Sequence, residues 1–133
     1  MSLRRQFTLL SEDEKFLEDY RLPWETVVDG SLWVFIHDFP LPDGYNNSRA
    51  TAAIRMETGY PNSQLDMVYF YPPITRKDGK VIGATQTMQP IDGKNFQRWS
   101  RHRTAQNPWK VGRDNLGAHI ILIEEWLERE FRK

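Results

Sequence analysis

The chain has 133 residues, no cysteine, and 18 basic side chains that balance 18 acidic ones, so its formal net charge is zero. The length fits one compact domain, and the charge balance argues against a protein that coats nucleic acid. The missing cysteines exclude disulfides and cysteine-ligated zinc. The longest apolar runs, 32–36 and 120–123, are too short for a bilayer, and no signal peptide is visible, so we expect a cytoplasmic protein without membrane contact.

The first predicted element is a helix. Ser11 and Glu14 have the spacing of a capping box, in which both side chains satisfy free N–H groups of the first turn. The helix is expected to continue to about Tyr20, with Leu17 facing inward, and to end before Pro23.

An antiparallel meander of about four strands is predicted next. A β-rich apolar run at Leu32–His37 follows a turn, and Thr51–Met56 alternates as a half-buried strand does. Leu65–Tyr71 is a third strand, stopped by Pro72-Pro73 because proline cannot donate to the ladder. Val81–Met88 is predicted as one more short strand.

The rest of the chain predicts a long loop and a final helix. Gln89–Arg113 shows no clean period, and long irregular segments in compact domains are often functional. Asp114 is the expected N-cap of a helix with one apolar stripe at Leu116, Ile120, Ile123 and Leu127. The whole order predicts an α+β protein: N-terminal helix, antiparallel meander, long irregular loop, C-terminal helix.

The segment with the most polar chemistry is 96–103, inside the predicted loop. It holds three arginines, one histidine, one serine and two aromatic residues. Arginine can clamp a carboxylate or phosphate, and tryptophan can fill a pocket, which favours a recognition or catalytic loop. Packing of the aromatic residues with solvated arginines explains the same composition. The candidate binding residues here are Arg98, Trp99, Ser100, Arg101 and Arg103.

His102 is the best candidate general base among the three histidines, because imidazole titrates near neutral pH. His37 ends an apolar strand and His119 borders the helical stripe, so both are interpreted as structural. Asp66, within a predicted strand, could pair with an arginine of the loop. The spacing of these residues predicts no metal site, and no glycine pattern predicts a cofactor.

Two further functions stay open. The chain could be a stand-alone enzyme that uses His102 as base, with Ser100 as a neighbouring hydroxyl. It could also bind single-stranded nucleic acid through the aromatic strand Val68–Tyr71 and the arginines of the loop. The zero net charge makes nucleic acid the less expected partner.

The order of motifs resembles the ubiquitin-conjugating (E2) superfamily. Tyr60-Pro61 and Phe70–Pro73 look like the proline signature after the E2 sheet, and Trp109 looks like the tryptophan before the next E2 helix. More specifically, the chain is similar to the bacterial group called prokaryotic E2 family E. The segments that carry this similarity are 41–46, 59–61, 65–67, 97–102 and 109–127.

The resemblance implies one E2-like domain, 1–133, that serves a bacterial ubiquitin-like modification system. The expected partners are an E1-like adenylating enzyme, a ubiquitin-like or multi-ubiquitin protein, and a JAB-type metalloprotease. An E2 carries its modifier as a thioester on cysteine, and this chain has none, so a binding or adaptor role, or chemistry without a thioester, is predicted. Asp66, the 98–103 loop and Trp109 are the expected working surface, with His102 at its centre.

Overall fold

The computed structural model of the protein describes residues 2–132. It has two α-helices and a six-stranded antiparallel sheet. The elements are α1 (Ser11–Tyr20), β1 (Trp24–Val28), β2 (Leu32–Pro40), β3 (Arg49–Met56), β4 (Val68–Tyr71), β5 (Met88–Ile91), β6 (Lys94–Trp99) and α2 (Leu116–Arg129), followed by a short 3₁₀ turn, Glu130–Arg132. The strand order β1-β2-β3-β4-β6-β5 places the β5–β6 hairpin beyond β4.

The sheet has six strands rather than the predicted four. β1 was missed, although its Val27 is an inward-facing β-branched residue ahead of a turn. No strand covers 81–87, so the predicted strand Val81–Met88 is wrong except at its last residue, Met88, which begins β5. The Asp92-Gly93 turn joins β5 to β6 with positive φ at both positions, 53° and 78°. An Asp-Gly pair is a strong hairpin signal, and it lies inside the segment predicted to be irregular.

Both faces of the sheet are buried. Val34 and Ile36 of β2 point to the helices, while Trp33 and Phe35, which alternate with them, point to the opposite face, and all four are at most 3% exposed. The helix-facing core includes the predicted stripe of α2, confirmed as buried. The opposite face carries a second apolar cluster: Val27, Trp33, Phe35, Ala53, Tyr69, Ile91 and Phe96.

The second core is enclosed because the sheet curls until its two end hairpins meet. Asp29, in the β1–β2 turn, accepts a hydrogen bond from the backbone N–H of Asp92 at 2.7 Å. Arg4 lies between the same hairpins, with Nε 2.8 Å from Glu25 of β1 and Nη2 2.8 Å from Asp92. One guanidinium thus joins the first strand of the sheet to the last turn, through a fork that suits carboxylates.

The helix starts differ from the predictions by one residue each. Leu10, not Ser11, is the N-cap of α1, and it makes no side-chain cap bond; its carbonyl accepts from the N–H groups of Asp13 and Glu14. At α2 the N-cap is Asn115, whose Oδ1 accepts from the Ala118 N–H at 2.9 Å. Asp114, predicted for this role, instead accepts from Lys110 N–H at 2.7 Å.

The two helices pack closely on the sheet. A Cβ at Gly117 would lie 2.6 Å from the ring of Phe16, so only glycine allows this approach. A polar chain also links the helices: the Leu116 N–H donates to the Tyr60 hydroxyl, which donates to Asp13, both at 2.7 Å. Burial raises the pKa of Asp13 above its ordinary value. These contacts fix the start of α2, where the long loop ends.

The variant Arg4→Gln tests the closure of the sheet. Hydrogen bonds from Arg4, assisted by His37, lower the pKa of Glu25 from 4.5 to about 2. Their stabilising contribution is therefore present above pH 4.5 and lost as pH falls toward 2. We expect Arg4→Gln to lower the free energy of unfolding at pH 7 by about 1–3 kcal/mol.

The measurement is urea unfolding at pH 7 and at pH 3, with Arg129→Gln as control. Arg129 also pairs with a glutamate, Glu125, but both side chains are about half exposed, at 49% and 52%, so its loss is expected to cost less than about 0.5 kcal/mol. The penalty of Arg4→Gln should shrink at pH 3. Equal penalties for the two variants at pH 7 would contradict a closing role for Arg4.

Candidate functional site

The loop between β6 and α2, residues 100–115, is held to the body of the protein at several points. At its start, Trp99 is fully buried, and its indole N–H donates to Gln97 Oε1 at 3.0 Å. Trp99 packs edge-on against Phe70 and Tyr45. It is therefore a core residue of the sheet rather than a surface for a partner.

Two arginines of the predicted surface are committed to internal contacts. Arg98 donates from Nε to the Ser100 hydroxyl at 3.1 Å. Arg101 donates to the Gly83 carbonyl at 2.9 Å and pairs with buried Glu130 at 3.2 Å. Arg101 thus connects the loop to the segment after α2.

Trp109 and Arg103 hold the middle of the loop. The Trp109 indole donates to the Pro61 carbonyl at 3.0 Å, and its ring lies 6.3 Å from that of Tyr60. The Arg103 guanidinium stacks 5.2 Å over the Trp109 ring and lies 3.6 Å from Asp114. Its side chain is only 7% exposed. Both residues shape the loop, and neither presents a free charged group to solvent.

Asp66 and His102 form the solvent-accessible polar pair of this region. The His102 Nδ1 donates to Asp66 Oδ2 at 2.8 Å, with side-chain exposures of 61% and 22%. The sequence predicted an arginine as the partner of Asp66, and the structure places His102 there instead. Because Nδ1 donates to the carboxylate, Nε2 is the ring nitrogen that can accept a proton.

The backbone beneath this pair is fixed from both sides. Met67 has a left-handed conformation, φ 58°, and its N–H donates to the Arg101 carbonyl at 3.0 Å. Its own carbonyl is 2.8 Å from Nε2 of His119 in α2. Since a carbonyl can only accept, Nε2 carries the proton, and Nδ1 is buried without a hydrogen-bond partner. His119 therefore positions the Asp66 segment, and burial lowers its pKa to about 4.

The geometry disfavours both alternative functions, the enzyme that pairs Ser100 with His102 and the binding of single-stranded nucleic acid. The Ser100 hydroxyl is bonded to Arg98, and His102 to Asp66, so Ser100 and His102 do not form a nucleophile–base pair. In the strand Val68–Tyr71, the first three side chains are at most 3% exposed. Only Tyr71 is open, so the strand offers no row of aromatic faces for stacked bases.

Within residues 2–132, no three histidine or acidic side chains cluster in a way that could hold a metal ion. In the same range, no helix has both the length and the apolar character needed to cross a membrane. The candidate site is thus defined by the Asp66–His102 pair and by the anchored loop that carries it.

The structure combines a sheet with helices on one face, a proline-rich turn after β4, and a loop that enters the last helix through an anchored tryptophan. These features define an E2-like α+β protein. The family comparison agrees: the model of Prokaryotic E2 family E matches residues 9–130, and the chain belongs to that family. Comparison with curated proteins and with solved structures gives no significant match.

The variant His119→Gln tests how the site is supported. The pKa of His119 falls from 6.5 to about 4 on folding, so the unfolded chain binds its proton more tightly. Stability is then lost as pH falls from 6.5 toward 4, by about 2 kcal/mol already at pH 5. Glutamine can donate to Met67 but does not titrate.

Urea unfolding of wild type and His119→Gln at pH 7 and pH 5 measures this effect. Wild type should lose about 2 kcal/mol more than the variant over that interval. The difference between the two proteins cancels Asp13, whose raised pKa acts in the opposite direction. Parallel pH dependence of the two proteins would show that the His119 imidazole is not kept neutral by its burial.

Proposed function

We propose that this E2-like protein is a cysteine-free binding component of a bacterial ubiquitin-like modification system. The observation that carries the proposal is the 2.8 Å contact between exposed His102, on the anchored loop, and half-buried Asp66, in the segment before β4. A rigid frame lowers the entropy cost of binding, because the contact groups are already in place. The pair presents one imidazole edge and one carboxylate to a modifier tail or to an E1-like enzyme.

A thioester is outside the chemistry of this chain. The sequence has no cysteine, and serine or threonine would need an activating base to replace it. Within the loop, the Ser100 hydroxyl accepts a hydrogen bond from Arg98, whereas an activating base would have to accept the hydroxyl proton, and His102 is bonded to Asp66 instead. The proposal is therefore recognition and presentation of the modifier, with the JAB-type metalloprotease as a further member of the same system.

A second candidate is proton transfer by His102. The His102 side chain is 61% exposed and its Nδ1 donates to Asp66, so Nε2 is the ring nitrogen left to accept a proton, as a general base does. This candidate predicts turnover of a small ester or phosphoester that His102→Ala abolishes. Recognition predicts no such turnover, so the two functions separate in one assay.

The variants His102→Ala and Asp66→Asn test the proposed recognition. Each removes the charge or the ring of the exposed pair while leaving the buried anchors intact, and Asp66→Asn keeps the oxygen that accepts from the Met67 N–H at 3.2 Å. We expect each to weaken binding to the ubiquitin-like protein or the E1-like enzyme by about tenfold or more. Unfolding free energies should change by less than about 0.5 kcal/mol.

Isothermal titration calorimetry measures the affinity, and Lys77→Ala, an exposed residue outside the loop, is the control. Incubation of the E1-like enzyme, ATP and modifier with this protein should give no adduct that thiols cleave. Unchanged affinity in both His102→Ala and Asp66→Asn would overturn the proposed surface.

A further inference from the structure

Two short segments of the chain meet at the Asp66–His102 pair and are joined there by two contacts. The His102 Nδ1 donates to Asp66 Oδ2 at 2.8 Å. In the neighbouring residues, the Met67 N–H donates to the Arg101 carbonyl at 3.0 Å. The same N–H is 3.2 Å from Asp66 Oδ1, so it holds the carboxylate and the carbonyl together. The position of the Arg101 backbone therefore helps to set where the His102 ring meets the carboxylate.

The Arg101 side chain is held inside the protein and is only 14% exposed. Its Nη1 donates to the Gly83 carbonyl at 2.9 Å, and its guanidinium lies 4.8 Å from the centre of the Trp99 ring. Its Nη2 is 3.2 Å from Glu130 Oε1, and the Glu130 side chain is 5% exposed. Among these contacts, the carboxylate is the one that carries a balancing charge. Because an unpaired buried charge is costly, the placement of the guanidinium depends on this carboxylate.

Glu130 is fixed by the 3₁₀ turn that follows α2. Its backbone carbonyl accepts a hydrogen bond from Arg76 Nη1 at 2.8 Å. The ring of the next residue, Phe131, lies 4.7 Å from the Tyr45 ring and 4.7 Å from the Arg76 guanidinium. These contacts hold the turn to two loops of the protein, so it brings a carboxylate to a defined place beside the loop between β6 and α2.

A different side chain anchors the other segment of the pair. His119 in α2 donates to the Met67 carbonyl, and it thereby fixes the segment that carries Asp66. Glu130 comes directly after α2 and acts on the segment that carries His102. Both anchors belong to one continuous stretch, α2 and the turn after it, which keeps the two segments in a constant relation.

We infer that Glu130 is a positioning residue for the Asp66–His102 pair and acts through Arg101. Without this carboxylate, we expect the guanidinium to turn toward solvent, where water replaces the lost partner. The Arg101 carbonyl then no longer holds the Met67 N–H, and His102 loses its fixed place at Asp66. The effect of this change on recognition rests on the proposed function, but the orientation of His102 is measurable without any partner.

The test is the tautomer of His102 in the full chain. Ring nitrogen-15 chemical shifts of histidine-labelled protein report it at about pH 8, where an ordinary imidazole is neutral. The hydrogen bond to Asp66 selects the Nδ1–H form, whereas an imidazole without a partner favours the Nε2–H form in water. Asp66→Ala gives the reference signal for a lost contact. We expect Glu130→Leu to show most of the change seen in Asp66→Ala, and Glu130→Gln, which keeps an acceptor for Arg101, to show a smaller part.

Arg101→Lys is a second variant, which keeps a cation beside Glu130. A lysine ammonium lacks the planar fork that reaches Gly83 and Glu130 together, so we expect this variant to move the His102 signal as well. Arg4→Gln is the matched control, because it breaks a carboxylate pair between the end hairpins and should leave the His102 signal unchanged. Unfolding curves show which variants are folded. A wild-type His102 signal in the folded variants of Glu130 and Arg101 would overturn the inference, and so would an equal change in Arg4→Gln.

Calorimetry with the ubiquitin-like protein or the E1-like enzyme separates this inference from the proposed function. If His102 is the recognition group, Glu130→Leu should weaken binding by about tenfold or more, as His102→Ala does. Unchanged affinity together with a lost Nδ1–H signal would support Glu130 as the positioning residue and overturn the proposed recognition surface.

Discussion

The contact between the two end hairpins of the sheet is the constraint on which much of this structure depends. Asp29 and Arg4 bring the Asp92 turn against β1, across 63 and 88 positions of the chain. A flat six-stranded sheet would leave Trp33, Phe35 and Phe96 in water. The curl encloses them, consistent with the strand twist of sheets, and creates a second core.

Side chains of the loop between β6 and α2, and the tryptophan just before it, fix this loop to the body of the protein. Trp99, Arg101, Arg103 and Trp109 read in sequence as a recognition surface, and the structure uses them mainly as anchors. Their fixation leaves His102 outward on a carboxylate partner. His102, exposed and bonded to Asp66, is thus the accessible polar group on which the proposed recognition rests.

The parts of the fold that the sequence predicted correctly are those set by a local pattern of apolar residues. The apolar run of β2, the alternation of β3 and the helical stripe of α2 are patterns set by burial, and the structure confirms that the apolar side chains of β2 and of the α2 stripe are buried. The β5–β6 hairpin escaped prediction because its strands are short and polar, although Asp92-Gly93 marked the turn. The pairs Asp66–His102 and His37–Glu25 join residues 36 and 12 positions apart, and no local signal specifies which side chains of separate segments meet.

The N-terminal segment has a role besides carrying Arg4. Gln6 donates to the Thr26 carbonyl and the Thr26 N–H donates to the Arg4 carbonyl, with Arg5 and Thr26 in a parallel bridge. β1 is an end strand of the sheet, and these bonds occupy backbone groups that would otherwise face solvent. Exposed strand edges pair with strands of other chains. By covering the edge of β1, the N-terminal segment therefore disfavours self-association. Displacing these residues would expose the edge of β1 and so lower the solubility of the protein.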